Sequence, residues 1–176
     1  MRIRPVDPAD AAEIAAIYAH HVLHGTASYE TVPPKAAEIG QRIARVLGHG
    51  WPWLVAEDEA GALLGYAYAT QFRDRAAYRY VCEDSIYIRD DARGQGVGKA
   101  LLGALIAACE EAGFRQMVAV IGGAEPASAA LHARLGFAEA GRLTGIGRKQ
   151  GRWLDTLYMQ RSLGPGSAAA PEVEPV

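Results

Sequence analysis

Residues 93–99 read Arg93-Gly94-Gln95-Gly96-Val97-Gly98-Lys99. Ahead of them stands Ser85-Ile86-Tyr87-Ile88, a β-branched and aromatic stretch with the character of a strand. After them comes Ala100-Leu101-Leu102-Gly103-Ala104-Leu105-Ile106-Ala107-Ala108-Cys109, which reads as a helix. A glycine-rich turn from strand to helix presents backbone N–H groups at the positive end of the helix dipole, a ready anion site. Glycines let the backbone approach a ligand without a Cβ in the way. Arg93 adds a forked cation suited to phosphate. Together they predict a phosphate-bearing ligand at this helix start; the alternative is a glycine-rich helix entry with no ligand. The run is not a Walker A loop, because Arg93 stands where the first glycine belongs and Ala100 where the magnesium-binding hydroxyl belongs. Nor is it a dinucleotide fingerprint, since Lys99 takes the place of the third glycine.

The chain that must position this loop has 176 residues, 50% of them apolar and 22% charged, as in a single globular domain. A net charge of −2 provides no general basic field for nucleic acid or an anionic membrane. No apolar run approaches the ~20 residues of a membrane helix, and Met1-Arg2-Ile3-Arg4-Pro5 lacks a signal-peptide core. Cys82 and Cys109 make neither a disulfide framework nor a metal spacing. His20, His21 and His24 read as one exposed helix end and not as a zinc site. The expectation is a cytoplasmic protein without a metal.

The elements follow from pattern. Arg2–Val6 reads as a strand. Asp7-Pro8 then caps a helix with apolar Ile14, Ile17, Tyr18 and Val22. A loop leads to a second helix from about Lys35 to Leu47. Residues 53–57 and 63–69 form a hairpin across Asp58–Gly61. The central strand, glycine loop and helix follow. Then come a strand over 117–121, a short helix over 127–135, and strands around 138–146 and 154–160. This order fits an α/β fold with a single mixed, mostly antiparallel sheet and helices on both faces. Residues 1–163 are expected to form the domain and 164–176 a disordered tail rich in Gly, Pro, Ser and Ala.

The spacing Arg93-x-x-Gly96-x-Gly98 resembles the pyrophosphate loop of the GNAT superfamily, which moves acetyl groups from acetyl-CoA to amines. The phrases Pro52-Trp53-Leu54-Val55-Ala56-Glu57, Ala77-Tyr78-Arg79-Tyr80-Val81-Cys82-Glu83-Asp84-Ser85-Ile86-Tyr87-Ile88, Val118-Ala119-Val120-Ile121-Gly122 and Gly151-Arg152-Trp153-Leu154-Asp155 extend the likeness over residues 2–163. They resemble the phosphinothricin / methionine sulfoximine N-acetyltransferases. The resemblance implies the GNAT-like acyl-CoA N-acyltransferase fold, acetyl-CoA as co-substrate without a metal, and the α-amine of a small amino acid analogue as acceptor. It leaves in play another amine acceptor (an aminoglycoside, a polyamine or a protein N-terminus) and a non-catalytic acyl-CoA-binding sensor.

The chemistry assigns candidates. An ammonium must lose a proton before its nitrogen can attack a thioester, and a carboxylate can take that proton directly or through water. Glu83, just before the strand that enters the glycine loop, is the expected base and matches the family's base position. Asp84 competes, but strand alternation turns it to the other face. Two solvated acids at a strand edge are the plain alternative. A splayed strand can hydrogen-bond an extended arm as an added strand would, and the resemblance implies that use for Ile86 and Ile88 toward the pantetheine. Tyr87 then points toward the acceptor, or is simply a core aromatic. His132 stands where many GNAT enzymes carry a tyrosine that protonates the leaving thiolate. It either does that job or packs on the cofactor's edge. Where similar enzymes place an asparagine on the pantetheine, this chain has Glu125, which only accepts hydrogen bonds unless protonated; Ser128 remains as a cofactor contact. Arg73 and Arg75, at i, i+2 on an extended segment, would point together at an acidic group, with Tyr78 beside them. The alternative is a solvated cluster with Asp74 and Asp91 as counterions. The resemblance also implies that Tyr29 reaches a partner subunit's pocket in a homodimer with shared sites.

Overall fold

The computed structural model describes residues 1–173. Its elements are β1 (Arg2–Pro5), α1 (Ala11–His24), α2 (Ala36–Gly48), β2 (Trp53–Glu57), β3 (Leu63–Gln71), β4 (Val81–Ile88), α3 (Val97–Glu111), β5 (Gln116–Gly122), α4 (Pro126–Arg134), β6 (Ala138–Lys149) and β7 (Arg152–Ser162). The strands form one seven-stranded sheet in the order β1-β2-β3-β4-β5-β7-β6. Every neighbouring pair is antiparallel except β4 with β5. The fold class is therefore the one the sequence predicts. No helix among the described residues is long and apolar enough to cross a membrane.

Local chemistry sets the element starts. Asp7 accepts from the Ala9 N–H at 2.8 Å and Asp10 accepts from the Asp7 N–H at 2.7 Å, a capping box with Pro8 at the first position. That box closes a single 3₁₀ turn, and α1 begins only at Ala11. Arg4 then clamps the entry, bonding both oxygens of Asp10 at 2.8 and 2.9 Å and Glu57 at 2.7 Å. In α3, Val97, Leu101, Leu102, Leu105, Ile106 and Cys109 make the buried stripe of an amphipathic helix.

The sheet separates two cores. On one face α3 packs Leu101, Leu102 and Leu105 over Ala67, Met117 and Leu157. On the other, α1 and α2 pack Ile14, Val22 and Ile43 over Trp53, Val55 and Tyr66. Cys82 and Cys109 are free and buried in the first core. The three histidines of α1 do not share one exposed end. His21 is buried, because it continues the inward stripe of Ile14, Ile17 and Tyr18, while His20 and His24 face out.

The site depends on one topological event. β4 and β5 pair in parallel only from Val81↔Gln116 to Asp84↔Ala119. Beyond that point β4 continues along β3 to Ile88↔Gly65, and β5 continues along β7 to Gly122↔Thr156. The two strands open into a fork. The bonds Phe72 N–H to Val81 C=O (2.9 Å) and Arg89 N–H to Leu64 C=O (2.8 Å) turn the odd-numbered peptide groups of β4 toward β3. By alternation the N–H and C=O groups of Ile86 and Ile88 face the open side.

Of the expected tail, residues 164–173 are described and residues 174–176 lie outside the described part. Leu163 is fully buried, Gly166 donates to the Leu163 carbonyl at 2.9 Å, and the Tyr80 hydroxyl donates to the Val173 carbonyl.

Candidate functional site

A cavity of about 210 Å³ occupies the fork, walled by Glu83–Tyr87 of β4 and Ala119–Gly122 of β5. Glu83 lies inside β4, two residues past its start, and not ahead of the strand as expected. The strand carries the polar run Glu83-Asp84-Ser85 because these residues sit where the sheet opens. Glu83 is on the α1/α2 side with its carboxylate 31% exposed, and the Arg73 guanidinium lies 3.8 Å away. Burial pushes its pKa up, the Arg73 cation pulls it back, and the Asp84 charge adds to the rise. A carboxylate shifted in that direction is a better match for a proton at neutral pH.

Asp84 points to the opposite face, as alternation requires, and meets His132. His132 Nε2 lies 3.0 Å from Asp84 Oδ2, with both side chains 2% exposed. His132 Nδ1 donates to the Ser128 carbonyl at 2.7 Å, and the Ser128 hydroxyl lies 3.4 Å from the same nitrogen. Burial lowers the His132 pKa, but the Asp84 hydrogen bond and charge outweigh it, so the net shift is upward. Asp84 Oδ1 is buried with no partner among the described residues. Glu125, which replaces the asparagine of similar enzymes, accepts from the Ser128 N–H at 2.8 Å and caps α4, so its carboxylate is turned to its own helix.

The glycine loop has the geometry its composition predicts. Gly94 (φ +74°) and Gly96 (φ +83°) adopt left-handed backbone, and a Cβ on either would meet open space. Gly96 is the N-cap of α3, and no side chain caps the helix, so its first-turn amides point outward unpaired. Arg93 is half exposed, 3.4 Å from Asp90. Lys99 is exposed, Gln95 Nε2 is turned back onto the Asp91 carbonyl at 2.7 Å, and Val97 is buried, so it offers its backbone alone. Gly98 also meets a packing need, because a Cβ added there would sit 3.3 Å from the Leu131 side chain of α4.

The cavity brings together Tyr29, Glu83, Ile86, Tyr87, Ser128 and His132. It leaves out Arg73, Arg75 and Tyr78. Residues 72–75 form a bend and 76–78 a 3₁₀ turn, so the extended geometry expected for the arginine pair is absent. Arg73 lies over the Phe72 ring and reaches Glu83, whereas Arg75 is held through its carbonyl by Gln71. Asp91, expected as their counterion, pairs with Arg89 at 2.6 Å. Tyr78 packs edge-on against Phe72. Tyr87 lines the cavity and also packs edge-on against Tyr18 and His21. Tyr29 is tied within its own chain, its hydroxyl bonded to Thr156 Oγ1 (2.7 Å) and the Asp155 carbonyl (2.9 Å). Its ring occupies the space a Cβ on Gly147 would need.

Sequence reasoning missed three groups. His21 donates from Nε2 to the Ile88 carbonyl at 2.9 Å; its place in the α1 stripe was the available signal. Ser28, beside the cavity, shares a 2.7 Å bond with the Tyr18 hydroxyl. Lys149 buries its ammonium on the Ser28 carbonyl at 2.7 Å, for which the sequence holds no local sign. No cluster of three metal-ligating side chains occurs among the described residues.

The model of the acetyltransferase (GNAT) domain matches residues 3–158. The chain belongs to the GNAT acetyltransferases. The phosphinothricin N-acetyltransferase of Alcaligenes faecalis is 53% identical over 171 residues, which are 97% of this chain and 86% of that protein. The L-methionine sulfoximine/L-methionine sulfone acetyltransferase of Pseudomonas aeruginosa is 41% identical over 95% of this chain and 97% of its own. The crystal structure of a GNAT superfamily phosphinothricin acetyltransferase from Sinorhizobium meliloti, in complex with acetyl-CoA, superposes with a TM-score of 0.95. It has 52% identity and covers 97% of this chain and 92% of that one. In this GNAT enzyme the fork, the glycine loop and the two acids of β4 therefore belong to an N-acetyltransferase, and the fold is that of the solved relative.

Proposed function

We propose that this GNAT enzyme acetylates the α-amine of a small amino acid analogue of the phosphinothricin, methionine sulfoximine or methionine sulfone type. The observation that carries the reading is the Glu83 carboxylate, raised by burial at the lip of the fork with Arg73 3.8 Å away. One group there takes a proton, and its neighbour offers a cation to an acidic substituent of the same molecule.

The residues fit acetyl-CoA as co-substrate. The unpaired amides of α3, the open faces of Gly94 and Gly96, and the Arg93, Gln95 and Lys99 rim suit a pyrophosphate. Ile86 and Ile88 present strand-edge backbone to an extended arm, with Ser128 beyond them. Bound acetyl-CoA supplies the thioester carbonyl that the amine attacks. Glu83 accepts the amine proton at a carboxylate oxygen. Tyr87 and Tyr29 wall the acceptor side, Arg73 orients its acid group, and Arg75 and Tyr78 shape the approach. His132 acts as proton donor from the opposite face. The chain works as a homodimer, supported by Leu143, Ile146 and Trp153 standing 42, 54 and 65% exposed on the β6–β7 hairpin; sedimentation showing a fully active monomer would overturn that part.

The experiment is a thiol-release screen with acetyl-CoA against phosphinothricin, methionine sulfoximine, methionine sulfone, the twenty amino acids, and an aminoglycoside, a polyamine and a short peptide as competing amines. Turnover confined to the analogues or to acidic amino acids supports the reading. Preference for an aminoglycoside, a polyamine or a peptide N-terminus, or no thiol release at all, overturns it.

A further inference from the structure

We propose that Ser128, His132 and Asp84 form a proton-delivery chain, in which Asp84 positions His132 and His132 feeds a proton through the Ser128 hydroxyl into the cavity, on the face opposite Glu83.

Counting protons leads there. The Ser128 carbonyl only accepts, so at 2.7 Å His132 Nδ1 must carry a hydrogen. The 3.0 Å contact of Nε2 with Asp84 Oδ2 must hold a second. The pair therefore stores one proton more than a neutral imidazole beside an ionised carboxylate would. The Nδ1 hydrogen forks between the Ser128 carbonyl and the Ser128 hydroxyl oxygen at 3.4 Å. That hydroxyl oxygen is thus supplied with a donor, which leaves its own O–H free to point outward, and Ser128 lines the cavity.

A purely structural staple explains this poorly. Both side chains are 2% exposed, and Asp84 Oδ1 has no partner among the described residues. Burying a half-satisfied carboxylate destabilises a fold relative to an apolar pair of the same volume. The pair also sits at Asp84↔Ala119, the last paired position before the fork opens. Asp84 on β4 is the charged group facing the ring. Ser128 on α4 and Phe137, edge-on at 5.0 Å, are uncharged, and Cys82 and Cys109 are buried thiols. The upward shift of His132 agrees with this stored proton.

The inference rests on the acetyl-transfer reading above. As the carbon–sulfur bond breaks, its electron pair stays on sulfur, which takes the Ser128 hydroxyl proton; the Nδ1 proton moves to Ser128 Oγ. His132 is left neutral, keeping its Nε2 proton in the hydrogen bond to the ionised Asp84, and solvent reloads Nδ1.

The test uses the whole protein with ¹⁵N-labelled histidine. Wild-type His132 should show two protonated ring nitrogens at pH 7 in the free enzyme. Asp84→Asn keeps shape and hydrogen bonding, since the new amide donates to Nε2 while Nδ1–H stays on the Ser128 carbonyl. The fold should survive with one protonated ring nitrogen. Its kcat should drop on the order of 10²-fold, the low end for a positioned acid because a thiolate leaves readily, with KM for acetyl-CoA within about twofold. Ser128→Ala should lose kcat similarly while the His132 signals stay doubly protonated. A singly protonated His132 in wild type, or an unchanged kcat in either variant, overturns the chain. Absence of thiol release with every amine would sink the acetyl-transfer reading instead, and the nitrogen signals would still decide whether the pair holds two protons.

Discussion

His21 of α1 donates from Nε2 to the carbonyl of Ile88 at 2.9 Å, on the edge of β4 that faces the open fork. A residue of the first helix thus satisfies a strand-edge group that lost its partner when β5 turned away. Tyr87 packs edge-on to the same imidazole at 5.2 Å, so the contact also braces a ring that lines the cavity.

Burial pushes the His21 pKa below the ordinary histidine value. The folded chain holds the ring neutral, while the unfolded chain takes up a proton below about pH 6.5. Stability should therefore fall as pH drops through that value. His132 shifts the other way in the same protein, so the comparison must be with a variant. His21→Gln retains a donor but does not titrate, and its thermal midpoint should fall less than wild type between pH 7.5 and 5.5. His21→Phe should cost ~1–3 kcal/mol at pH 7.5, because it leaves the Ile88 carbonyl unpaired, and the gap should narrow on the acid side. Parallel acid-side curves for wild type and His21→Gln would exclude His21 as the source.

Glu83→Gln should cut turnover by roughly 10²–10⁴ while leaving folding and acetyl-CoA affinity intact. Gln keeps the size of Glu but cannot accept the proton. The deficit should shrink as pH rises, because more of the acceptor amine is then already neutral. A pH–rate profile with the best amine checks this; near wild-type turnover at pH 7 removes Glu83 as the base. Asp84→Asn should be the milder of the two, and its loss should not shrink with pH in the same way, because it acts on the opposite side of the fork.

Gly96→Ala should raise KM for acetyl-CoA severalfold. The added Cβ finds open space in the loop, but at φ +83° it strains the backbone and fills the approach to the α3 amides. Gly98→Val should behave differently: it presses on Leu131 and should lower the melting temperature as well. Calorimetric titration and thermal melts separate the two. Unaltered cofactor binding in Gly96→Ala would refute the loop's role.

Arg73→Ala should raise KM for the acceptor by about tenfold with little change for acetyl-CoA, and Arg75→Ala should do much less. Arg73 is the arginine beside Glu83, while Arg75 is turned into the 3₁₀ turn. Steady-state kinetics on both variants decides; equal effects would mean that the bend straightens when the acceptor binds.

The sequence by itself determined what neighbours in the chain can encode. Asp7-Pro8 and Asp10 capped the first helical turn, Arg93–Gly98 built a helix entry with free amides, and the two-residue period of β4 put Glu83 and Asp84 on opposite faces. Each of these rests on contacts within a few residues. The tertiary structure alone decided where β4 and β5 part, because the end of a parallel register depends on which outer strands each continues to pair with. That divergence made an edge of Ile86 and Ile88, and brought His132 from 48 positions away onto Asp84. It also decided that Glu125 caps its own helix, that Lys149 reaches Ser28, and that Arg73 but not Arg75 approaches Glu83. A side chain's partner across the fold is chosen by packing of distant segments, and no local periodicity carries that information.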